Sequence, residues 1–124
     1  MYLQLNHQKL KIYSISQQLI KEAYRVTKLF PAEEKFALSQ QLRRAAVSSF
    51  LNLVEGSSRI STIERKRFYE IARSSVVEVD AALEIAHMQG YISSSDSDSL
   101  GAALIESFKY FSALINSTTI KTNK

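Results

Sequence analysis

Cysteine is absent from this chain of 124 residues, proline occurs once and glycine three times. Each scarcity excludes something. Without cysteine there is no disulfide framework, no thiolate metal site and no cysteine nucleophile, which fits a reducing cytoplasm. An all-β chain needs turn residues every ~8–12 positions, and so few Gly and Pro point instead to helices joined by short connections. No apolar run approaches the roughly 20 residues of a membrane span. The first residues, MYLQLNHQKLK, lack the basic-then-apolar order of a signal peptide. No Gly-x-Ser-x-Gly turn or Gly-rich phosphate loop occurs, and no Ser stands at a recognisable spacing from a His. The expectation is a non-enzymatic cytoplasmic protein without a cofactor.

What is present is ordinary for one soluble domain: 45% apolar and 23% charged residues, with a net charge of +4. The distribution of charge says more. Residues 1–73 hold 13 of the 16 basic and 6 of the 12 acidic residues, whereas residues 74–124 carry a net −3. Such asymmetry suits an anionic partner or guided self-association, and it also serves plain solubility.

Ile12, Ile15, Leu19, Ala23, Val26 and Phe30 recur at steps of 3 and 4, which places them on one face of a helix over about residues 7–29. Pro31, followed by Glu33 and Glu34, suits the first turn of a second helix over about residues 32–56. That helix is apolar on two sides. Leu38, Leu42, Ala45, Ser49 and Leu53 form one stripe, and Val47, Phe50, Leu51 and Val54 lie opposite. A helix apolar nearly all round is normally buried all round. Two readings stand: the second face is a subunit interface, or the helix is central in its own bundle. Gly56 suits a left-handed C-terminal cap.

Ser61 and Glu64 form an S-x-x-E capping box for a third helix over about residues 62–89. Its seam is Phe68, Ala72, Ser75, Val79, Ala82 and Ala86, spaced for bundle packing. Tyr69, Val76 and Leu83 make a further stripe, more apolar surface than one seam requires. Gly90 suits a cap, with Tyr91 and Ile92 folding back. The run SSSDSDS leads into a fourth helix over about residues 95–117, with Leu100, Leu104, Phe108, Phe111 and Ile115 inward and a frayed tail at 118–124. The expected fold is all-α, an antiparallel up-down-up-down four-helix bundle in one domain. It would gather Lys9, Lys11, Arg59, Arg65, Lys66, Arg67, Lys121 and Lys124 at one end. Glu33, Glu34, Asp96 and Asp98 would gather at the other.

Phe30-Pro31, Glu34, Leu38, the QLRRAA of 41–46, Ser48, Asn52 and Glu55-Gly56 resemble a bacterial family. So do Arg59, Phe68, Ala72 and the S-x-x-E of Ser75 and Glu78. It is the four-helix bundle protein family, also called a 23S ribosomal protein because members are encoded in intervening sequences of 23S ribosomal RNA genes. The match runs over about residues 10–92; the family often has Gly where this chain has Ser74. The resemblance implies a four-helix bundle commonly assembled as a ring-forming homopentamer. A related pentameric bundle, the accessory protein of diversity-generating retroelements, assembles with nucleic acid and a reverse transcriptase.

Three constellations are candidates for function. Gln41, Arg44, Ser48, Asn52 and Glu55 share a helix face. They form a structural hydrogen-bond network, a ligand site or a solvated surface. Glu84 and His87 have the Glu-x-x-His spacing of di-iron bundles. That chemistry needs a second such motif and two further carboxylates, for which the first and fourth helices offer only Glu22 and Glu106, so no metal site is expected. His7 has no evident partner. The basic end is the remaining lead. Arg59, Arg65, Lys66 and Arg67 are placed to neutralise phosphates of RNA or DNA, with Phe68 and Tyr69 interleaved. The alternative is a solvated helix start over a core Phe68. The expected partners are further copies of the chain and a nucleic acid, with no membrane and no small-molecule substrate.

Overall fold

The computed structural model describes residues 2–5 and 10–122, with side chains through Thr118. Four helices account for most of it: α1 (Lys11–Thr27), α2 (Leu38–Ser57), α3 (Thr62–Met88) and α4 (Ser94–Thr122). A single 3-10 turn, Ala32–Glu34, lies between α1 and α2. Each helix packs on two others, in the cyclic order α1, α2, α3, α4, with α2 against α3 the most extensive contact. No strand occurs among the described residues.

The α1 stripe is the core stripe. Ile12, Ile15, Leu19, Ala23, Val26 and Phe30 are all buried. The helix begins at Lys11, while His7 and Lys9 lie outside the described residues. Pro31 does not start α2. It opens the 3-10 turn, and regular helix begins only at Leu38, after Ala37 at φ −125° and ψ −102°. The reason is burial: none of residues 31–37 is buried, so no packed face rewards the fixed backbone of an early turn. Glu34 fastens this start from outside, accepting the Leu38 N–H at 3.2 Å and the Tyr91 hydroxyl at 2.6 Å.

In α2 the buried residues are Ser39, Leu42, Ala45, Ala46, Ser49, Leu53 and Gly56. Most are small, which lets α3 come close. Gly56 is not a left-handed cap. It lies inside α2, and the only positive-φ glycine is Gly90. What excludes a side chain at Gly56 is proximity, because a Cβ there would sit 2.8 Å from Phe68 Cβ and 3.0 Å from Tyr69 Cε1. Gly90, at φ 73°, does end α3. Its N–H reaches His87 O, the Tyr91 N–H reaches Ala86 O, and the two bonds make a Schellman motif. Tyr91 then folds back so that its ring lies 5.9 Å from Phe30. The hydrogen bond to Glu34 raises the Tyr91 phenol from 10.0 to about 12.

Ser61 caps α3, its hydroxyl accepting the Glu64 N–H at 3.3 Å. Ser93 and Asp96 cap α4 reciprocally. Ser93 Oγ accepts the Asp96 N–H, and Asp96 Oδ2 accepts the Ser93 N–H. That bond from the Ser93 backbone, helped by its side chain, holds the Asp96 carboxyl below its ordinary range. α4 runs on to Thr122, past its expected end at 117 and through most of the expected frayed tail, because Ile115 and Thr118 still meet the core.

Cross-links fix the register. Along α2, Gln41, Ser48 and Ser57 meet Glu78, Ser75 and Tyr69 of α3, so partner numbers fall as α2 numbers rise. Between α3 and α4 the pairs are Arg73 with Ser112 at 3.1 Å and His87 with Ser97 at 2.9 Å.

Candidate interaction surfaces

The polar stripe of α2 faces α3. Gln41 donates to Glu78, the Ser75 hydroxyl donates to Ser48 Oγ at 3.0 Å, and Asn52 Nδ2 donates to Ser48 O and Oγ. The S-x-x-E pair of α3 and the polar stripe of α2 are therefore the two halves of one seam. Glu55 stands apart from it, exposed and bound by Arg59 at 2.9 Å. Arg44 is exposed, and among the described residues it makes no hydrogen bond or ion pair. It lines the hollow beside Gln41, Ser48 and Glu78 without bonding to them, and it also lines a groove on the α1/α2 side.

The basic corner is less free than its sequence suggests. Arg59 is held by Glu55 and, at 3.8 Å, by Glu64, and its guanidinium lies 5.0 Å from the Phe68 ring centre. Two carboxylates and a ring leave it little to offer a phosphate. Arg65 is half-buried, and its Nε finds no partner among the described residues. Lys66 is half-buried and Arg67 exposed. Lys11 lies over the Tyr110 ring at 5.5 Å. The side chains of Lys9, Lys121 and Lys124 lie outside the described residues. At the opposite end, Arg25 donates to Asp96 O at 2.8 Å, which brings the end of α1 to the start of α4.

The second apolar face of α2 is neither wholly enclosed nor wholly wet. Phe50 and Val54 are half-buried against the core, and the Phe50 ring lies 5.2 Å from that of Tyr13. Val47 is half-buried and Leu51 is 57% exposed. Val47 and Leu51 floor a groove of about 640 Å³ on the α1/α2 side. Its walls carry Lys35, Arg43 and Arg44 and no carboxylate. Arg43 is fixed by a 2.7 Å bond to Thr27 Oγ1 and stacks 4.6 Å over Tyr24. Phe36, 81% exposed, stands at the rim. Sequence reasoning missed Tyr24, Lys35, Phe36 and Arg43 as members of one surface; the adjacent arginines 43 and 44 were the available signal.

A second groove, of about 450 Å³, lies on the α3/α4 side. Val77, Ile105 and Phe108 line it while largely exposed, with Asp80 at its edge. Asp80 and Glu84 continue into a neighbouring hollow beside His87. Phe108, expected in the core, is 45% exposed under the Arg73 guanidinium. Conversely, Tyr69, Val76 and Leu83, expected as surplus apolar surface, are buried within their own chain. The surplus sits one position on, at Val77.

His87 shares its Nε2 with Ser97 Oγ. Among the described residues no group of three or more His, Asp or Glu could hold a metal. No helix among them is long and apolar enough to cross a membrane.

These features define an all-α bundle with two exposed apolar grooves and no assembled catalytic constellation among the described residues. The family model of the 23S rRNA-intervening sequence protein matches residues 8–113. The chain belongs to that family. It is also similar to the crystal structure of a protein of unknown function from the S23 ribosomal protein family of Bacteroides thetaiotaomicron. That likeness has a TM-score of 0.77 at 22% identity, over 84% of this chain and 97% of the other, and at that identity it speaks to the fold alone. Among curated proteins nothing matches the chain.

Proposed function

We propose that this protein is a non-enzymatic, self-associating scaffold of the cytoplasm. Its four helices alternate in direction, up-down-up-down. The falling order of α3 partners along α2 and the mirrored pairs between α3 and α4 support that topology. Self-association is carried by one observation: Leu51 on one side of the bundle, and Val77, Ile105 and Phe108 on the other, stay exposed beside grooves. Contiguous apolar patches of this kind mark sites of association. Val47, Phe50, Leu51 and Val54 are the interface side of α2 in this reading, with Phe50 and Val54 also bracing the core. The ring-forming homopentamer that the family resemblance implies is one closed form of such an assembly. Light scattering tests the reading. A particle heavier than the 14.0 kDa chain is expected, and a monomer at all accessible concentrations refutes it.

A second reading, an accessory that binds RNA or DNA at the basic end, is favoured by the charges of Lys66 and Arg67. Neither meets a carboxylate among the described residues, whereas Arg59 is already paired. Binding through phosphates falls steeply with salt. A mobility shift at low salt, lost at high salt and lost in a Lys66→Ala, Arg67→Ala variant of unchanged oligomer mass, is the expected result. No shift with either single or double strands refutes it.

A further inference from the structure

The corner between α2 and α3 carries apolar surface that the bundle does not use. Ile60, in the connection, is 98% exposed, and Ile63, in the first turn of α3, is 73% exposed. One such side chain alone is ordinary, but these two flank the Ser61 cap at the same corner. Lys66, Arg67 and Glu70 follow Ile63 on its own helix face, at spacings of three, four and seven residues. At 1.5 Å per residue, the two cations lie about 5 Å behind Ile63 and the carboxylate about 10 Å behind it.

This corner is an extremity of the molecule. The Arg73–Ser112 bond sets α3 against α4. Ten residues further towards the corner, Ile63 is level with Thr122, where α4 ends. α1 stops short of that level, because Tyr13 near its start packs on Phe50, seven residues before the last residue of α2. Charge is unbalanced here as well. Residues 55–67 hold four cations and two carboxylates, and Arg59 binds both of the latter. Lys66 and Arg67 are left without a carboxylate among the described residues. The nearby rings are already engaged. Tyr69 is 1% exposed with its hydroxyl 3.1 Å from Ser57 Oγ, and Phe68 lies under the Arg59 guanidinium. The corner therefore presents aliphatic side chains and cations, and no ring on which a base could stack.

We infer that this corner docks on the surface of an anionic lipid bilayer. Ile60 and Ile63 enter the boundary between headgroups and acyl chains, Lys66 and Arg67 meet the headgroup phosphates, and Glu70 stays in water. The apolar, cationic, anionic order from the tip inwards is the order that such an interface demands, and a burial of about 5–10 Å is usual for peripheral anchors. The contact is peripheral, since no described helix is long and apolar enough to cross a membrane. It departs from the sequence expectation of no membrane partner, because spacing along the chain does not reveal that both isoleucines stand at an exposed tip. It goes beyond the scaffold reading and does not depend on it.

Vesicle cosedimentation with lipid in large excess tests this. The chain should bind vesicles of equal parts phosphatidylglycerol and phosphatidylcholine, bind less as salt rises, and ignore phosphatidylcholine alone. Ile60→Ser with Ile63→Ser should weaken binding at least tenfold, and so should Lys66→Ala with Arg67→Ala, each with unchanged helicity and oligomer mass. The chain has no tryptophan, so Ile60→Trp supplies a lone fluorophore. Its emission should move to the blue on the anionic vesicles, whereas that of Glu70→Trp should not. Absence of vesicle binding overturns the proposal. So does equal binding to neutral vesicles, a serine variant that binds as tightly as the unmodified chain, or equal blue shifts at positions 60 and 70. A nucleic-acid mobility shift without vesicle binding overturns it too and assigns Lys66 and Arg67 to the second reading above.

Discussion

Gly56 and Gly101 make one substitution predict opposite outcomes. Both lie within helices, α2 and α4. Replacing glycine by alanine in a helix interior gains about 0.8–1.0 kcal/mol from backbone propensity; that gain applies in full at Gly101 and at most in part at Gly56, next to the last residue of α2. The surroundings differ. At Gly101 the added methyl meets nothing within 4 Å. At Gly56 it arrives 2.8 Å from Phe68 Cβ and 3.0 Å from Tyr69 Cε1. Phe68 Cβ is attached to the α3 backbone, and Tyr69 is 1% exposed, so neither yields by a rotamer change alone. α3 must move off α2. Overpacking of this kind costs about 1–3 kcal/mol. Gly101→Ala should therefore stabilise by about 1 kcal/mol, and Gly56→Ala should destabilise by up to about 2 kcal/mol. The difference between the two is mainly the packing cost, with a smaller part from the position of Gly56 at the end of α2. The assay is urea unfolding of each variant beside the unmodified chain at one fixed protein concentration. With a slope of about 1–3 kcal/mol/M, the two midpoints should differ by roughly 1 M. Equal midpoints would refute the close approach of α2 and α3 at Gly56.

Ser16 and Ser107 are fully buried, and their hydroxyls find no partner among the described residues. A buried unsatisfied hydroxyl costs about 1–3 kcal/mol, so Ser16→Ala and Ser107→Ala should each raise the urea midpoint, by about 1–2 kcal/mol in stability; a lowered midpoint would reveal a bonded hydroxyl. The Tyr91 phenol is raised to about 12 by its bond to Glu34, so the folded state keeps a proton that the unfolded chain loses near pH 10. That contribution is whole below pH 10 and fades as pH rises through about 12. Unmodified protein should exceed Tyr91→Phe in midpoint at neutral pH and converge on it in alkali, and a gap that widens sinks the assignment. Asp96 behaves in the opposite sense. Its carboxyl, lowered mainly by the Ser93 N–H, stabilises the start of α4 above the ordinary aspartate range and ceases to as pH falls through its lowered value. The acid limb of a stability–pH curve should be shallower in Asp96→Asn, and an unchanged limb counts against the cap.

Helix periodicity is a local property, and it was legible where burial is simple. The α1 stripe follows from its 3-and-4 steps alone, and the Ser61 and Gly90 caps follow from residue types that suit a helix end wherever the helix packs. Errors arose where two helices had to be weighed together. Gly56 has the composition of a cap, but its role is set by Phe68 and Tyr69, twelve and thirteen residues on. Pro31 and the two glutamates have the composition of a helix start, but a first turn with nothing buried beneath it does not propagate. Arg59 pairs with Glu55, four residues back along the chain, but the third-helix Glu64 and the Phe68 ring that also hold it away from a phosphate are set by how α2 and α3 meet.

The sequence by itself determined that the chain is helical, where most of its turns fall and which family it belongs to, because composition and spacing act within a few residues of chain. Only the tertiary structure decided which of several apolar stripes goes inward. It buried Val76 and left Val77 outside, drew Tyr69 and Leu83 into the core and left Phe108 at a groove. Adjacent positions on a helix differ by about 100° around its axis. A small rotation of each helix, set jointly by all its neighbours, therefore chooses which stripe meets the core and which charges remain to face another molecule.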